Sequence, residues 1–295
     1  MATVELIETP DQSVGARVTS GLRMARRYVT SLYRSRQERT WYQDIKTYCM
    51  FIGHARSGHS IVGALLDAHP SIILPDEVDA LQYVSAGFSR EQIYHLLLAR
   101  SLRQANKGRT KGGRDGKTYS YQVPGQWQGR FEQLCVIGDS KAGVSTQRLA
   151  RNPALFEQLQ RTMKDVDVKV ILVVRNPYDN ISTMILRGGR TFENAIERYF
   201  SNCEALIKIR ERVSSTDFLL IKQEDVIEQP QARLGEICRF LGVDAADDYL
   251  NACASILYKS PAQSRQNVQW RPELVDAVRR QSDQYDFLAG YSYEH

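Results

Sequence analysis

Residues 51–77 read FIGHARSGHSIVGALLDAHPSIILPDE, and the architecture of the whole chain follows from how that run is parsed. Gly53 and Gly58 bracket four residues, as in the phosphate-binding pattern G-x-x-x-x-G-K-[ST], and Ser60 fills the last place. The lysine is missing, with His59 in its slot. Just upstream, residues 48–52 (YCMFI) form a short apolar run that predicts a buried strand. Residues 57–68 read as a helix with Ile61, Val62, Leu65 and Leu66 on one side. His69-Pro70 closes it, because the residue before a proline avoids helical geometry. This is strand, glycine turn and helix, the arrangement whose free backbone N–H groups hold anions.

Working outward, apolar runs recur at 71–74 (SIIL), 134–139 (LCVIGD), 168–175 (VKVILVVR) and 217–221 (DFLLI), and each predicts a strand. Helical patterns fill the gaps, including 192–213, 231–241 and 273–281. Apolar strands separated by helices mean a parallel sheet covered on both faces. The predicted class is α/β, three-layered, with a central parallel sheet flanked by helices as in P-loop-containing nucleotide hydrolases. The polar, glycine- and lysine-bearing stretch QANKGRTKGGRDGKTYSY (104–121) predicts a long mobile loop, either a lid or an insertion.

The 295 residues give one large domain or two small ones, and the division expected is a basic helical extension over 1–45 and a single domain over 46–295. Between Arg17 and Arg39 stand seven arginines and one acid, with Val18, Leu22, Val29 and Leu32 roughly on one helical face. Two readings follow: a helix lying on an anionic membrane or a partner through residues 15–39, or a helix packed on the domain with its arginines in water. The second is preferred. The opening MATVELIETPDQ lacks the pattern of a signal peptide, and no apolar run is long enough to span a membrane. The five cysteines contain no C-x-x-C pair, which argues for reduced thiols in the cytoplasm and against a zinc site or disulfide frame. A net charge of +5 favours anionic ligands mildly and does not indicate a nucleic-acid binder.

Four stretches carry chemistry. In the glycine turn, Arg56 adds a bidentate grip on a phosphate or sulfate, and Ser60 a hydroxyl; the bland alternative is a tight strand-to-helix turn. In VVRNPYDNIST (173–183), Arg175 ends the strongest strand. There Asn176 caps the next helix, Pro177 opens it, and Asp179 falls where a capping-box acid sits. Ser182 or Thr183 then projects toward the same ligand as Arg175, unless that arginine is a surface ion-pair member. In VIGDSKAG (136–143), Asp139 reads as the metal-holding acid of a nucleotide hydrolase, or else Lys141 as neutralising a leaving group. In LPDE (74–77), Glu77 reads as a general base, or Asp76 and Glu77 merely cap a helix.

Taken together these stretches resemble the sulfotransferase family that uses 3′-phosphoadenosine 5′-phosphosulfate (PAPS). RSGHS followed by LLDAHP is similar to its 5′-phosphosulfate loop, RNPYDNIST to its 3′-phosphate motif, and IKQEDVIEQPQARLGEICRFLG (221–242) to the segment before its last core helix. The tail SRQNVQW…FLAGY resembles its cofactor-closing segment, and the match runs in order over residues 48–293. The resemblance implies that Arg56, Ser57, Gly58, His59 and Ser60 hold the 5′-phosphosulfate. Arg175 with Thr183 or Ser182 would hold the 3′-phosphate, which Ser264 and Arg265 would touch. Glu77 would be the catalytic base and Lys141 would sit near the bridging oxygen, while His59 departs from the usual threonine and would contact the sulfate or catalyse. No metal is implied, since sulfuryl transfer moves less negative charge than phosphoryl transfer. The acceptor would be a small molecule, carbohydrate or lipid with a hydroxyl or amine. The rival reading is a nucleotide or small-molecule kinase using Mg-ATP, with Asp139 holding the magnesium.

Overall fold

The computed structural model describes residues 12–112 and 118–294. Among them the chain runs α1 (Gln12–Gln37), β1 (Thr47–Gly53), α2 (His59–Leu66), β2 (Ile72–Ile73), α3 (Ala80–Ser85), α4 (Arg90–Asn106), β3 (Thr110–Gly112), β4 (Thr118–Ser120) and β5 (Val136–Asp139). It continues through α5 (Ala142–Arg151), α6 (Ala154–Thr162), β6 (Asp167–Val174), α7 (Pro177–Gly188), α8 (Phe192–Arg210), β7 (Phe218–Lys222), α9 (Gln223–Glu228), α10 (Pro230–Phe240), α11 (Asp247–Ser255) and α12 (Pro272–Ser282). Residues 1–11 of the expected N-terminal extension lie outside the described residues.

Five strands form one sheet in the order β2-β5-β1-β6-β7, and every neighbouring pair is parallel. The reason lies in the strand sequences. All seven residues of β1 are buried, so it needs cover on both faces, and alternation sends its side chains into two separate cores. Tyr48, Met50 and Ile52 enter one core with Val170 and Leu172 of β6, beneath Ile93 of α4, Ile181 of α7 and Tyr199 of α8. Cys49 and Phe51 enter the other with Ile171 and Val173, against Leu65 of α2, Ile237 of α10 and Cys253 of α11. Each such side chain, taken wholly out of water, contributes about 1.5–3 kcal/mol.

Because β1 lies between β5 and β6, successive connections leave it on opposite sides, and a crevice opens at the carboxyl ends of those strands. That edge carries all four chemistry-bearing stretches. Where α2 ends, buried Asp67 accepts the Leu74 backbone N–H at 2.6 Å and the Ser101 hydroxyl, and it is paired with buried Arg109. Its anchorage fixes β2 and thereby the residues leading to Glu77.

The described parts of the polar stretch 104–121, which leave out residues 113–117, hold regular structure. The helix α4 runs on to Asn106, and β3 pairs antiparallel with β4, with Thr110 opposite Ser120. Threonine and tyrosine suit a two-stranded ribbon, so polarity without periodicity reads as loop in the sequence while its described ends pair as strands in the fold. All five cysteines are free thiols, four of them buried. Among the described residues no helix is long and apolar enough to cross a membrane.

Candidate active site

The phosphate-loop turn leaves β1 at Gly53 and reaches α2 at His59. Its shape depends on left-handed backbone at Arg56 (φ 72°) and Gly58 (φ 91°). A β-carbon at Gly58 would stand 2.4 Å from Cγ of Gln223, so the loop and the β7–α9 junction meet only over a glycine. Gly58, His59 and Ser60 line the crevice where α2 begins, the place at which helix-opening backbone N–H groups hold anions. Arg56 is exposed beside them and makes no ion pair among the described residues. Ser57 is fully buried with Oγ 3.4 Å from Nδ1 of His59, and the Ser60 hydroxyl donates to Asp76 Oδ1 at 3.1 Å.

Across the crevice, residues 75–80 form a strained strap. Glu77 (φ 61°) and Asp79 (φ 62°) are both non-glycine residues in the left-handed region, at a cost of order 1–3 kcal/mol each. Three groups hold them there. The carboxylate of Asp139 accepts the backbone N–H of Val78 (3.3 Å), Ala80 (2.7 Å) and Lys141 (3.2 Å). Arg148 grips Asp79 through a two-bond fork, both bonds 2.6 Å. The amide of Gln104 meets both backbone groups of Asp76 at 2.9 Å. The strap is thereby forced to present Glu77 to the crevice, where Oε2 lies 3.3 Å from Lys141 Nζ. Burial pushes the Asp139 carboxyl up to about 6, against the pull of the three amides. With both oxygens turned to backbone N–H groups, and outside the crevice lining, Asp139 braces the strap and is not presented for magnesium.

The third wall is α7. Asn176 caps it, accepting the Tyr178 N–H at 3.0 Å, and the Asn176 N–H donates to Glu224 Oε1 at 2.8 Å. Arg175 is buried, and its guanidinium donates to Thr183 Oγ1 (3.2 Å), Ser264 Oγ (3.1 Å) and the Ala262 carbonyl. Asp179 does not close a capping box. Its carboxylate takes the Arg265 backbone N–H at 2.8 Å and pairs with the Arg265 guanidinium, both side chains buried.

These walls enclose a cavity of about 930 Å³, in the size range of ligand pockets. Arg56, Gly58, His59, Ser60, Glu77, Lys141, Arg175 and Thr183 all line it. Four other expected contacts lie behind the lining. Ser57 and Ser264 are fully buried, Ser182 accepts the Trp270 indole N–H at 3.0 Å, and Arg265 is engaged with Asp179. Sequence reasoning missed Arg187, Arg198 and Lys259, which give the lining six basic side chains against the lone carboxylate of Glu77. Arg187 was within reach, since it stands one turn past Thr183 on the same helix face. Arg198 and Asn202 share a face of α8, but nothing in the sequence aims that face at the crevice. Asn202 does so by donating to the Gly53 carbonyl at 3.1 Å.

His54 was also missed. Its ring stacks on Tyr199 (centroids 4.0 Å apart, planes at 16°), with Nε2 3.0 Å from the Tyr199 carbonyl. That acceptor places the proton of the neutral ring on Nε2, and burial holds the pKa down to about 4. An NMR titration is expected to find the His54 ring neutral to near pH 4; a midpoint near 6.5 would mean a hydrated ring. Between pH 6.5 and 4 the unfolded chain binds a proton that the native ring refuses, so falling pH removes stability, about 3 kcal/mol over the window. Asp139 acts oppositely: its native carboxyl binds its proton first, so its contribution is largest below pH 3.8 and is lost as pH rises through about 6. The two largely offset in a melting curve, which is why the readout is the ring itself.

With this geometry in place, comparison with known proteins is direct. Residues 50–248, more than half the chain, match the family model described as the sulfotransferase family. A search of curated proteins by sequence gave no match. Among solved structures, the sulfotransferase domain of the Synechococcus PCC 7002 olefin synthase is 18% identical, covering 80% of this chain and 89% of its own, with a TM-score of 0.45. The sulfotransferase domain from the curacin biosynthetic pathway is 15% identical, covering 83% and 99%, at 0.48. Mouse sulfotransferase SULT7A1, solved in complex with PAP, is 14% identical, covering 82% and 87%, at 0.44. The chain belongs to the sulfotransferase family and is a sulfotransferase; the family match does not favour the nucleotide-kinase reading.

Proposed function

We propose that the donor is PAPS and that the chain moves its sulfuryl group in line to a hydroxyl or amine acceptor, with Glu77 as base. The observation that carries this reading is the 3.3 Å Glu77–Lys141 pair, set in the same cavity as Arg56 and Arg175. The lining suits such a donor on charge: six basic groups stand against one acid, for a nucleotide with anionic groups at both its 3′ and 5′ ends. When bound, the donor supplies an electrophilic sulfur and a phosphate leaving group.

The chain's own residues do the rest. Arg56 and the amides opening α2 bind the 5′ end; Arg175 and Thr183, with Arg187 beyond them, bind the 3′-phosphate. His59 lines the cavity beside the loop and donates to the sulfate. Glu77 takes the acceptor proton, and that proton cancels the charge that held Lys141. The ammonium is then left to stabilise the departing phosphate, so the pair couples the two ends of the reaction. The rest of the cavity receives a small-molecule, carbohydrate or lipid acceptor.

The test is incubation with ³⁵S-labelled PAPS and a panel of hydroxyl and amine acceptors, with and without magnesium, beside calorimetry with PAP. Labelled product that does not require magnesium is expected. Tight magnesium-dependent ATP binding, with none of PAP, would reinstate the kinase.

A further inference from the structure

The helix α1 docks through a mixed face, with Met24 against the core and Tyr28 edge-on to Phe88, and leaves apolar residues outside. It packs along α4, yet the face turned inward carries Ser31 and Ser35, 0% and 3% exposed. Hydrogen bonds hold that face: Gln92 of α4 donates to the Tyr28 carbonyl (2.9 Å) and to Ser31 Oγ (3.1 Å), and Arg27 donates to the Tyr83 hydroxyl (2.5 Å). The opposite face is apolar. Leu22, Val29 and Tyr33 are 67%, 67% and 64% exposed. At about 100° per residue these three fall within roughly 40° of one another, half a turn from Ser31. Arg26 and Arg36, both exposed, flank the stripe on either side within about another 20–40°. The nearby acid, Glu38, is turned away: it accepts from Tyr42 and lies 2.8 Å from the His95 ring. The sequence expectation that Leu22 would face the domain is therefore reversed by the serine–glutamine contacts.

An apolar stripe whose charged flanks, among the described residues, are Arg26 and Arg36 is matched by acyl chains beneath anionic head groups. A second copy fits poorly, because pairing this face with itself brings the arginine-flanked rims of both copies together and, among the described residues of α1, no acidic side chain meets them. We propose that the outward face of α1, through Leu22, Val29 and Tyr33 with Arg26 and Arg36, docks the enzyme on an anionic lipid surface. The proposal is independent of the assignments in the cavity.

The experiment is co-sedimentation of the full chain with vesicles of phosphatidylcholine alone or with 30% phosphatidylglycerol, alongside light scattering on a sizing column. Binding at least tenfold stronger to the anionic vesicles is expected, weakening with salt. The triple variant Leu22→Ser, Val29→Ser, Tyr33→Ser should lose about tenfold of it while keeping the parent's circular dichroism spectrum and cooperative melting, which shows that it has folded. Arg26→Gln with Arg36→Gln should lose a comparable share. Equal binding to both vesicles, binding untouched by the serine variant, or a dimer that the serine variant dissolves would each overturn the proposal.

Discussion

Glu77→Gln is expected to lower turnover by about 10²- to 10⁴-fold, the usual span for removing a positioned proton acceptor, while PAP affinity stays within about twofold. The amide keeps the shape of the side chain and loses only its charge and basicity. The strap should survive the change, because its supports are Asp139, Arg148 and Gln104, none of which bonds the Glu77 side chain. The loss should appear in kcat and kcat/KM alike, as for an interaction made only in the transition state. Two separate effects contribute. The acceptor proton has nowhere to go, and Lys141 no longer has a partner whose charge disappears as the leaving group's charge appears. Glu77→Asp separates them, restoring the charge but drawing the carboxylate back by one methylene. If Glu77→Gln keeps more than a tenth of wild-type turnover, the base is another group lining the cavity, and His59, on the facing loop, is the first to examine.

How much of this was legible in the sequence depends on whether a feature is local. The strands β1 and β6 announce themselves because both their faces are buried, which leaves continuous apolar runs. The glycine turn, the cap at Asn176 and the residues at strand ends are fixed by neighbours a few positions away, and all were readable. What sequence could not convey is which side chains the tail would claim. Ser182 and Thr183 are adjacent and chemically alike, and only the position of Trp270, far along the chain, turns one behind the wall and leaves the other in the cavity. Arg265 looks like a ligand for anions until Asp179 is found beneath it. Asp139 has the sequence position of a metal-holding acid, and its actual partners are three amides of a strap whose left-handed residues carry no glycine to advertise them. The inward serines of α1 mislead for the same reason, since Gln92 supplies partners that periodicity does not see.

Arg175→Gln is expected to weaken PAP binding by about 30- to several-thousand-fold, corresponding to roughly 2–5 kcal/mol for truncating a buried, hydrogen-bonded charge at a ligand contact. Arg175 has two functions that must be kept apart. It faces the cavity as a cation, and its fork also ties Thr183 of α7 to the segment at Ala262 and Ser264, so that the wall and the closing segment share one guanidinium. Lysine retains the charge and cannot reproduce the fork, so Arg175→Lys should fall between glutamine and wild type. The separation comes from a ligand lacking the 3′-phosphate. If Arg175 acts on that phosphate, binding of 5′-AMP should change little in Arg175→Gln while PAP loses its advantage over it. If both ligands weaken by the same factor, the guanidinium serves only to hold the segment at residues 262–264 in place, and the 3′-phosphate must be gripped by Arg187 one turn beyond Thr183. Thr183→Val gives the complementary measurement: it removes the hydroxyl that accepts from Arg175 and donates to the Asp179 carbonyl at 2.8 Å, leaving the cation in place. Its effect on PAP should be about 0.5–1.5 kcal/mol for one hydrogen bond, and should largely vanish when combined with Arg175→Gln, because the two residues act on the ligand as a unit.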